Sequence, residues 1–173
     1  MPTPDPSEKE LLTIALDELR LLHNNINTSF DNLRNKALAL LAGEVAIVTF
    51  IFSSDNDGNS WFLDNSVPLY GLVIYAVGIT LLAYAFAMFL AVISSATWKH
   101  PPEKKDIADL NHRFHKNPVE FLSYLKNEYV NAIDHCVGII NQRSDKFMRG
   151  VYTLSGGIII LVVVKYGGQI IQL

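Results

Sequence analysis

A run of 28 residues without a charged side chain, from Leu69 to Ala96, constrains the fold of this chain more than any other feature. A helix of about 20 apolar residues crosses the hydrocarbon core of a bilayer, so this run can span a membrane with some tilt. The mean hydropathy of the whole chain, +0.22, is high for a soluble domain of this size. The sequence therefore predicts an all-α membrane protein. The alternative is a soluble all-α protein with buried helices.

Two further segments are apolar enough to be spans. Ala37–Ser54 contains one charged residue, Glu44, and the segment 150–173 contains one, Lys165. Lys165 would either end its span or extend its side chain to the headgroups. The sequence thus predicts three transmembrane helices, at residues 37–54, 69–96 and 150–173.

The distribution of lysine and arginine predicts the orientation of these spans. Of the 14 such residues, four precede the first span, nine lie in residues 97–149 and none lies in residues 55–68. Basic residues favour the cytoplasmic side. The sequence therefore predicts a cytoplasmic N-terminal segment, 1–36, a cytoplasmic segment, 97–149, and an external loop, 55–68. The opening "MPTPDPSEKE" lacks the apolar core of a secretory signal.

Both cytoplasmic segments have the pattern of amphipathic helices. Ser7 and Glu10 form a capping box, and Asn117, Pro118 and Glu120 form a second helix start. We expect each helix to continue into the following span, and the two helices to pair as a hairpin-like stalk that also supports a homo-oligomer. The apolar stripes are Leu12, Leu16, Leu19, Leu22, Ile26, Phe30 and Leu33, and Phe121, Leu125, Tyr129, Ile133, Cys136 or Val137, and Ile140.

Glu44 is the main candidate functional residue, with Thr49 as a second pore or gating residue. A carboxylate about 10 Å into a span is costly, and it usually faces a bundle interior, a partner or water. It could line a cation pathway or relay protons. The structural alternatives are a hydrogen bond to Ser155, Thr153, Tyr84 or a backbone carbonyl, or a helix placed so that Glu44 reaches the headgroups.

Small residues recur at four-residue spacing in the second span, at Ala83, Ala87, Ala91 and Ser95. Small side chains let membrane helices approach closely, so this stripe predicts a packing seam within or between protomers, unless the spacing is a coincidence. Gly156 and Gly157 in the third span are candidate partners of this stripe.

The segment "NHRFHKN" offers a possible site for an anionic ligand or lipid, formed by His112, Arg113, His115 and Lys116. Two histidines at this spacing would need a further ligand to hold a metal ion, so a basic juxtamembrane patch or an ordinary solvated loop is favoured over a metal site. The single cysteine excludes an internal disulfide. The phosphate loop, G-x-S-x-G, H-E-x-x-H and C-x-x-C are absent, so we predict no catalytic residues, no cofactor and no enzymatic activity.

The order of these features resembles a group of small bacterial membrane proteins. The stretch "SFDNLRNKALALLAGEVAI", the Pro101-Pro102 turn, "NPVEFLSYLKNEYVNAID" and "NQRSDKFMRG" are similar in layout to the SLATT-like and Pycsar-type transmembrane effectors of antiviral defence. The layout is also similar to membrane accessory proteins of RNA-guided nucleases. The resemblance implies an oligomeric protein of the bacterial inner membrane that perturbs the bilayer when infection is sensed.

The resulting hypothesis is a pore-forming or depolarising defence effector that contacts membrane lipids. Nucleotide-gated members of this group have a separate ligand-binding domain, and this sequence shows none. We therefore favour activation by assembly or by a soluble defence protein over activation by a nucleotide or RNA signal in the cytoplasm. The alternatives are a non-conducting scaffold or accessory subunit of a soluble defence nuclease, and a component of a small cation or proton channel.

Overall fold

The computed structural model describes residues 6–53, 69–94, 101 and 117–170. They form three helices: α1, Pro6–Ser53; α2, Leu69–Ile93; and α3, Pro118–Ile170. The predicted all-α class is confirmed for this part of the chain. Each amphipathic helix continues without a break into the apolar segment that follows it, as expected. With 48 and 53 residues, α1 and α3 are each about 70 to 80 Å long.

The start of α3 has the predicted asparagine cap. The backbone nitrogen of Glu120 donates to Asn117 Oδ1 at 3.4 Å, and Asn117 Nδ2 donates to Glu120 Oε2 at 3.2 Å. Pro118 occupies the first helical position, where its missing N–H has no intrahelical partner to lose. These contacts explain why the helix begins at this point.

The helices contribute to two compact units, which are described separately. Unit 1 comprises Met1–Asn32 and Ser95–Gln142, and unit 2 comprises Leu33–Ser94 and Arg143–Leu173. Both α1 and α3 therefore contribute their N-terminal parts to unit 1 and their C-terminal parts to unit 2. Helix α2 belongs to unit 2 alone.

In unit 1, α1 and α3 run parallel. Glu8 and Leu12 line a groove with the first residues of α3, and further along Ile26 packs against Ile133 and Cys136. The contacts thus advance in the same direction on both helices. The predicted pairing of the two stripes is confirmed within unit 1. The hairpin arrangement is wrong, because a hairpin requires antiparallel neighbours.

The buried face of α1 follows a 3.5-residue repeat rather than the predicted stripe. His23 lies in it at 8% exposure, whereas Leu22, assigned to the stripe from its hydrophobicity, is 47% exposed. We call this face the α1 seam. Its members are buried or partly buried and recur at alternating steps of four and three residues: Leu12, Leu16, Leu19, His23, Ile26, Phe30, Leu33, Ala37, Leu40, Glu44 and Ile47.

In unit 2, α2 and α3 are antiparallel and pack closely at glycines. A Cβ placed on Gly78 would lie 2.9 Å from Leu161, and one on Gly157 would lie 2.9 Å from Leu82. Further along α2, Phe89 lies against Gly150. The contacts descend along α3 as they ascend along α2, which fixes the antiparallel register. The core of this unit contains Ala37, Leu82, Ala85, Phe89, Val92, Leu154 and Leu161.

Two helical segments of the described residues are long and apolar enough to cross a membrane, Tyr70–Ile93 and Pro118–Lys165. Only 28% and 22% of their most apolar windows are buried inside the structure. The first predicted span is not one of these two segments, and it ends beyond the described part of α1. Three spans, the stalk and the membrane orientation therefore stay predictions.

Candidate functional site

Glu44 lies on the buried face of α1 in unit 2. It follows Ala37 and Leu40 along the α1 seam, and both of these residues pack in the apolar core. Its side chain is 3% exposed. The alternative in which Glu44 reaches the headgroups does not fit this placement, because the side chain points into the protein.

The Glu44 carboxylate has an unusual environment for a polar group. Its Oε2 atom is buried and has no hydrogen-bond partner among the described residues. Buried polar atoms in folded proteins are nearly always paired, because leaving one unpaired costs about 1–3 kcal/mol. The burial of Glu44 therefore costs free energy when the α1 seam packs.

The hydroxyl groups proposed as partners of Glu44 are engaged elsewhere or exposed. Thr153 Oγ1 donates to the carbonyl oxygen of Arg149 at 2.8 Å, and Ser155 Oγ donates to that of Val151 at 2.9 Å. Tyr84 is exposed. Among the described residues, the hydrogen bonds from these three hydroxyl groups that would make Glu44 an ordinary structural pin are therefore not formed.

Thr49, the second predicted pore residue, does not share the environment of Glu44. It is exposed, and its hydroxyl donates to the carbonyl oxygen of Val45 at 2.8 Å. Thr49 follows Glu44 by five positions, which places the two residues on different faces of α1. The structure thus does not bring these two residues together.

The predicted small-residue seam does not form the contact between α2 and α3. Ala83 and Ala87 are exposed, Ala91 is partly buried, and Ser95 lies outside the described residues. The buried face of α2 instead contains Gly78, Leu82, Ala85, Phe89 and Val92. A seam between protomers along the alanines stays a prediction.

The two predicted partner glycines differ from each other. Gly157 is buried against α2, where an added Cβ would also approach the Gly78 carbonyl oxygen to 3.2 Å, whereas Gly156 has nothing within 4 Å of an added Cβ. Of the predicted seam residues, Gly157 alone is shown in the α2–α3 contact.

Arg143 was not among the predicted site residues, although its side chain joins α3 to the end of α2. Its buried guanidinium donates from Nη1 to the carbonyl oxygen of Val92 and from Nη2 to that of Ser94. The last carbonyls of a helix have no intrahelical donor, so Arg143 satisfies the C-terminal end of α2. The signal in the sequence is weak: α2 ends without a glycine cap, and the donor lies about 50 residues away.

Unit 1 contains a second polar group on the α1 seam, His23. Its ring lies edge-on to Tyr129 with the centroids 6.4 Å apart, and the amide nitrogen of Asn27 is 3.4 Å from His23 Nδ1. A polar residue at one position of an apolar seam restricts which register the helices adopt. His23 and Tyr129 thus favour the parallel register seen in unit 1.

The predicted basic and histidine segment, His112 to Lys116, lies outside the described residues. Among the residues that the structure does describe, no group of three or more histidine, cysteine, aspartate or glutamate side chains could hold a metal ion. Comparisons with protein-family models, with curated proteins and with solved structures found no match for this chain.

Proposed function

We propose that this chain is a membrane protein that perturbs the bilayer when its helical bundle rearranges, and that the carboxylate of Glu44 lines the ion pathway which this rearrangement opens. The observation that carries the proposal is the Oε2 atom of Glu44, buried in an apolar seam without a partner among the described residues. The role in antiviral defence rests on the resemblance in sequence layout alone.

The membrane location is supported by the large apolar surface that α2 and α3 leave uncovered. A core helix of a soluble protein would be mostly buried, whereas less than a third of each apolar window is buried here. Lipid or other protomers would cover this surface.

The described part of unit 2 has a core filled by apolar side chains. Phe89, Leu161 and Val92 are fully buried and fill the middle of unit 2. Glu44 faces this filled core. It would meet water or a permeating cation only after the α1 seam opens, so conduction requires a second, rearranged state.

The experiment is ion flux through liposomes that contain the purified full-length chain. We expect a trigger, such as lysate from infected cells, to produce flux with the wild type and at least about tenfold less with Glu44→Gln, which keeps the side chain's shape and removes its charge. The matched control is Glu18→Gln, an exposed glutamate on the same helix. Absence of flux in the wild type under every trigger would refute the proposal.

A non-conducting scaffold is the second candidate function, and the filled core of unit 2 favours it. A scaffold would copurify with a soluble partner, and its Glu44→Gln variant would retain that partner. Flux that depends on Glu44 would exclude this alternative.

A further inference from the structure

We propose that unit 2 holds Glu44 as an uncharged carboxylic acid while the α1 seam is packed, and that opening of the seam ionises it, so that a rise in pH favours the open state. The role of this regulation rests on the proposed function, because the opening concerned is the one that exposes Glu44 to the ion pathway. Protons then control the open state together with the trigger.

The neighbours of Glu44 on its own face of α1 all pack in an apolar core. Leu40, Leu41 and Val48 lie one helical turn from Glu44, and each of them packs against the core cluster of unit 2. The Glu44 side chain lies among them at 3% exposure. An ionised carboxylate is far more costly than a neutral acid in such surroundings. Burial in this core therefore selects the protonated form.

The described residues supply no cation that would offset a charge on Glu44. The Oε2 atom has no hydrogen-bond partner among them, and Glu44 forms no ion pair with any of them. A buried carboxylate stays ionised when cations or several donors surround it. Besides Glu44, the charged or titratable side chains that unit 2 buries or partly buries in its described part are Tyr75 on α2 and Arg143, Lys146 and Lys165 on α3. Arg143, the most buried of these cations, donates to the end of α2 instead.

Opening of the α1 seam reverses this preference for the neutral acid. Water solvates the carboxylate, the O–H bond of the acid breaks with its electron pair left on oxygen, and the proton passes to water. The packed state thus binds one proton more than the open state, and this difference raises the ratio of open to packed chains by up to about tenfold per pH unit. The dependence begins above about pH 4.3, where an exposed glutamate ionises, and it ends where the packed state also loses its proton. Acid therefore keeps the seam closed, and alkali favours its opening.

The first test detects the bound proton by infrared spectroscopy of the purified full-length protein in liposomes at pH 7. We expect the C=O stretching band of a protonated carboxylic acid in the wild type and in Glu18→Gln, and loss of this band in Glu44→Gln. Glu18 is an exposed glutamate of the same helix, so its replacement controls for the substitution itself. Absence of the band in the wild type, or its full retention in Glu44→Gln, would overturn the proposal.

The second test measures opening of the seam against pH in the full-length protein in detergent. In a Cys136→Ser background, Ile47→Cys places a thiol on the α1 seam beside Glu44, and Val45→Cys places one on the exposed face as the matched control. The ratio of their alkylation rates with iodoacetamide removes the intrinsic effect of pH on thiol reactivity. We expect this ratio to rise by at least about fivefold between pH 6 and pH 8, and to stay constant when Glu44→Gln is added to both chains.

Two outcomes of the alkylation test would contradict the proton coupling. The first is a constant ratio in the chains that keep Glu44. The second is a rise that survives Glu44→Gln, because Tyr75, Arg143 and the two lysines of unit 2 remain in that variant. Circular dichroism at both pH values separates opening of the seam from loss of folding.

Both tests are independent of ion flux, so failure of the proton coupling and failure of the proposed function can be told apart. Opening that depends on pH and on Glu44, without flux under any trigger, would refute the proposed function alone. Flux that requires Glu44 at one pH, together with a constant alkylation ratio, would refute the proton coupling alone.

Discussion

Glu44 and His23 both occupy seam positions that apolar side chains would fill in an ordinary coiled pair. The two residues differ in their consequences. His23 has an aromatic neighbour and an amide beside it, whereas Glu44 Oε2 has no hydrogen-bond partner in the described part of the chain.

The cost of the buried carboxylate leads to a stability prediction. Glu44→Leu should stabilise the folded state by about 1–3 kcal/mol, because it replaces an unpaired polar group with an apolar side chain of similar length. The measurement is the free energy of unfolding of the full-length protein in detergent. The exposed Glu18→Leu should change it by less than about 0.5 kcal/mol. A loss of stability in Glu44→Leu would mean that the carboxylate has a favourable partner.

The single cysteine tests the packing of unit 1. Burial raises the pKa of the Cys136 thiol, so less of the reactive thiolate is present at a given pH than for an exposed cysteine. Alkylation at pH 8 should be at least about tenfold slower than for Val137→Cys in a Cys136→Ser background, because Val137 is exposed on the same helix. Equal rates would contradict the packing of Cys136 against α1.

The sequence predicted some residue roles and missed others for physical reasons. Leu22 rather than His23 was assigned to the buried stripe of α1, because leucine is the more hydrophobic residue. In addition, a repeat of 3.5 residues differs little from a repeat of 3.6 residues over a few helical turns. Glu44 was identified, because a charge in an apolar run is visible in the sequence. The inward direction of the Glu44 side chain was not predicted, because that direction depends on how the other helices pack against α1.

At the scale of elements, the helices themselves were predictable and their contacts were not. The capping residues Asn117 and Glu120 are three positions apart, so the start of α3 can be recognised locally. Helix α2 is apolar on all sides and gives no signal for its inner face. The alanine stripe suggested one face, whereas Gly78, Leu82 and Phe89 form the actual contact with α3.

The glycines of α3 test the antiparallel contact with α2. Gly157→Ala should destabilise unit 2 by about 1–3 kcal/mol, because its Cβ would meet Leu82 and the backbone of Gly78. Gly156→Ala should be neutral or stabilise by up to about 1 kcal/mol, because its Cβ has open space and alanine favours helix. The measurement is thermal unfolding in one detergent. Equal effects would contradict the register.

At the scale of the whole molecule, the number of spans determines the side on which α1 begins. Three spans place position 9 in the cytoplasm, whereas spans at α2 and α3 alone would place it outside. In a Cys136→Ser background, Lys9→Cys should resist a membrane-impermeant maleimide added to intact cells. Asn59→Cys, in the predicted external loop, should react. Reaction of the maleimide at both positions would show that the chain crosses the membrane only twice.

The central claim is that bilayer perturbation depends on the buried carboxylate of Glu44. The most direct measurement is the membrane potential of cells that express the wild type, Glu44→Gln or Glu18→Gln, with and without phage challenge. The account predicts depolarisation on challenge with the wild type and Glu18→Gln, and none with Glu44→Gln. Identical responses from all three chains would contradict it and would leave Glu44 with a structural role alone.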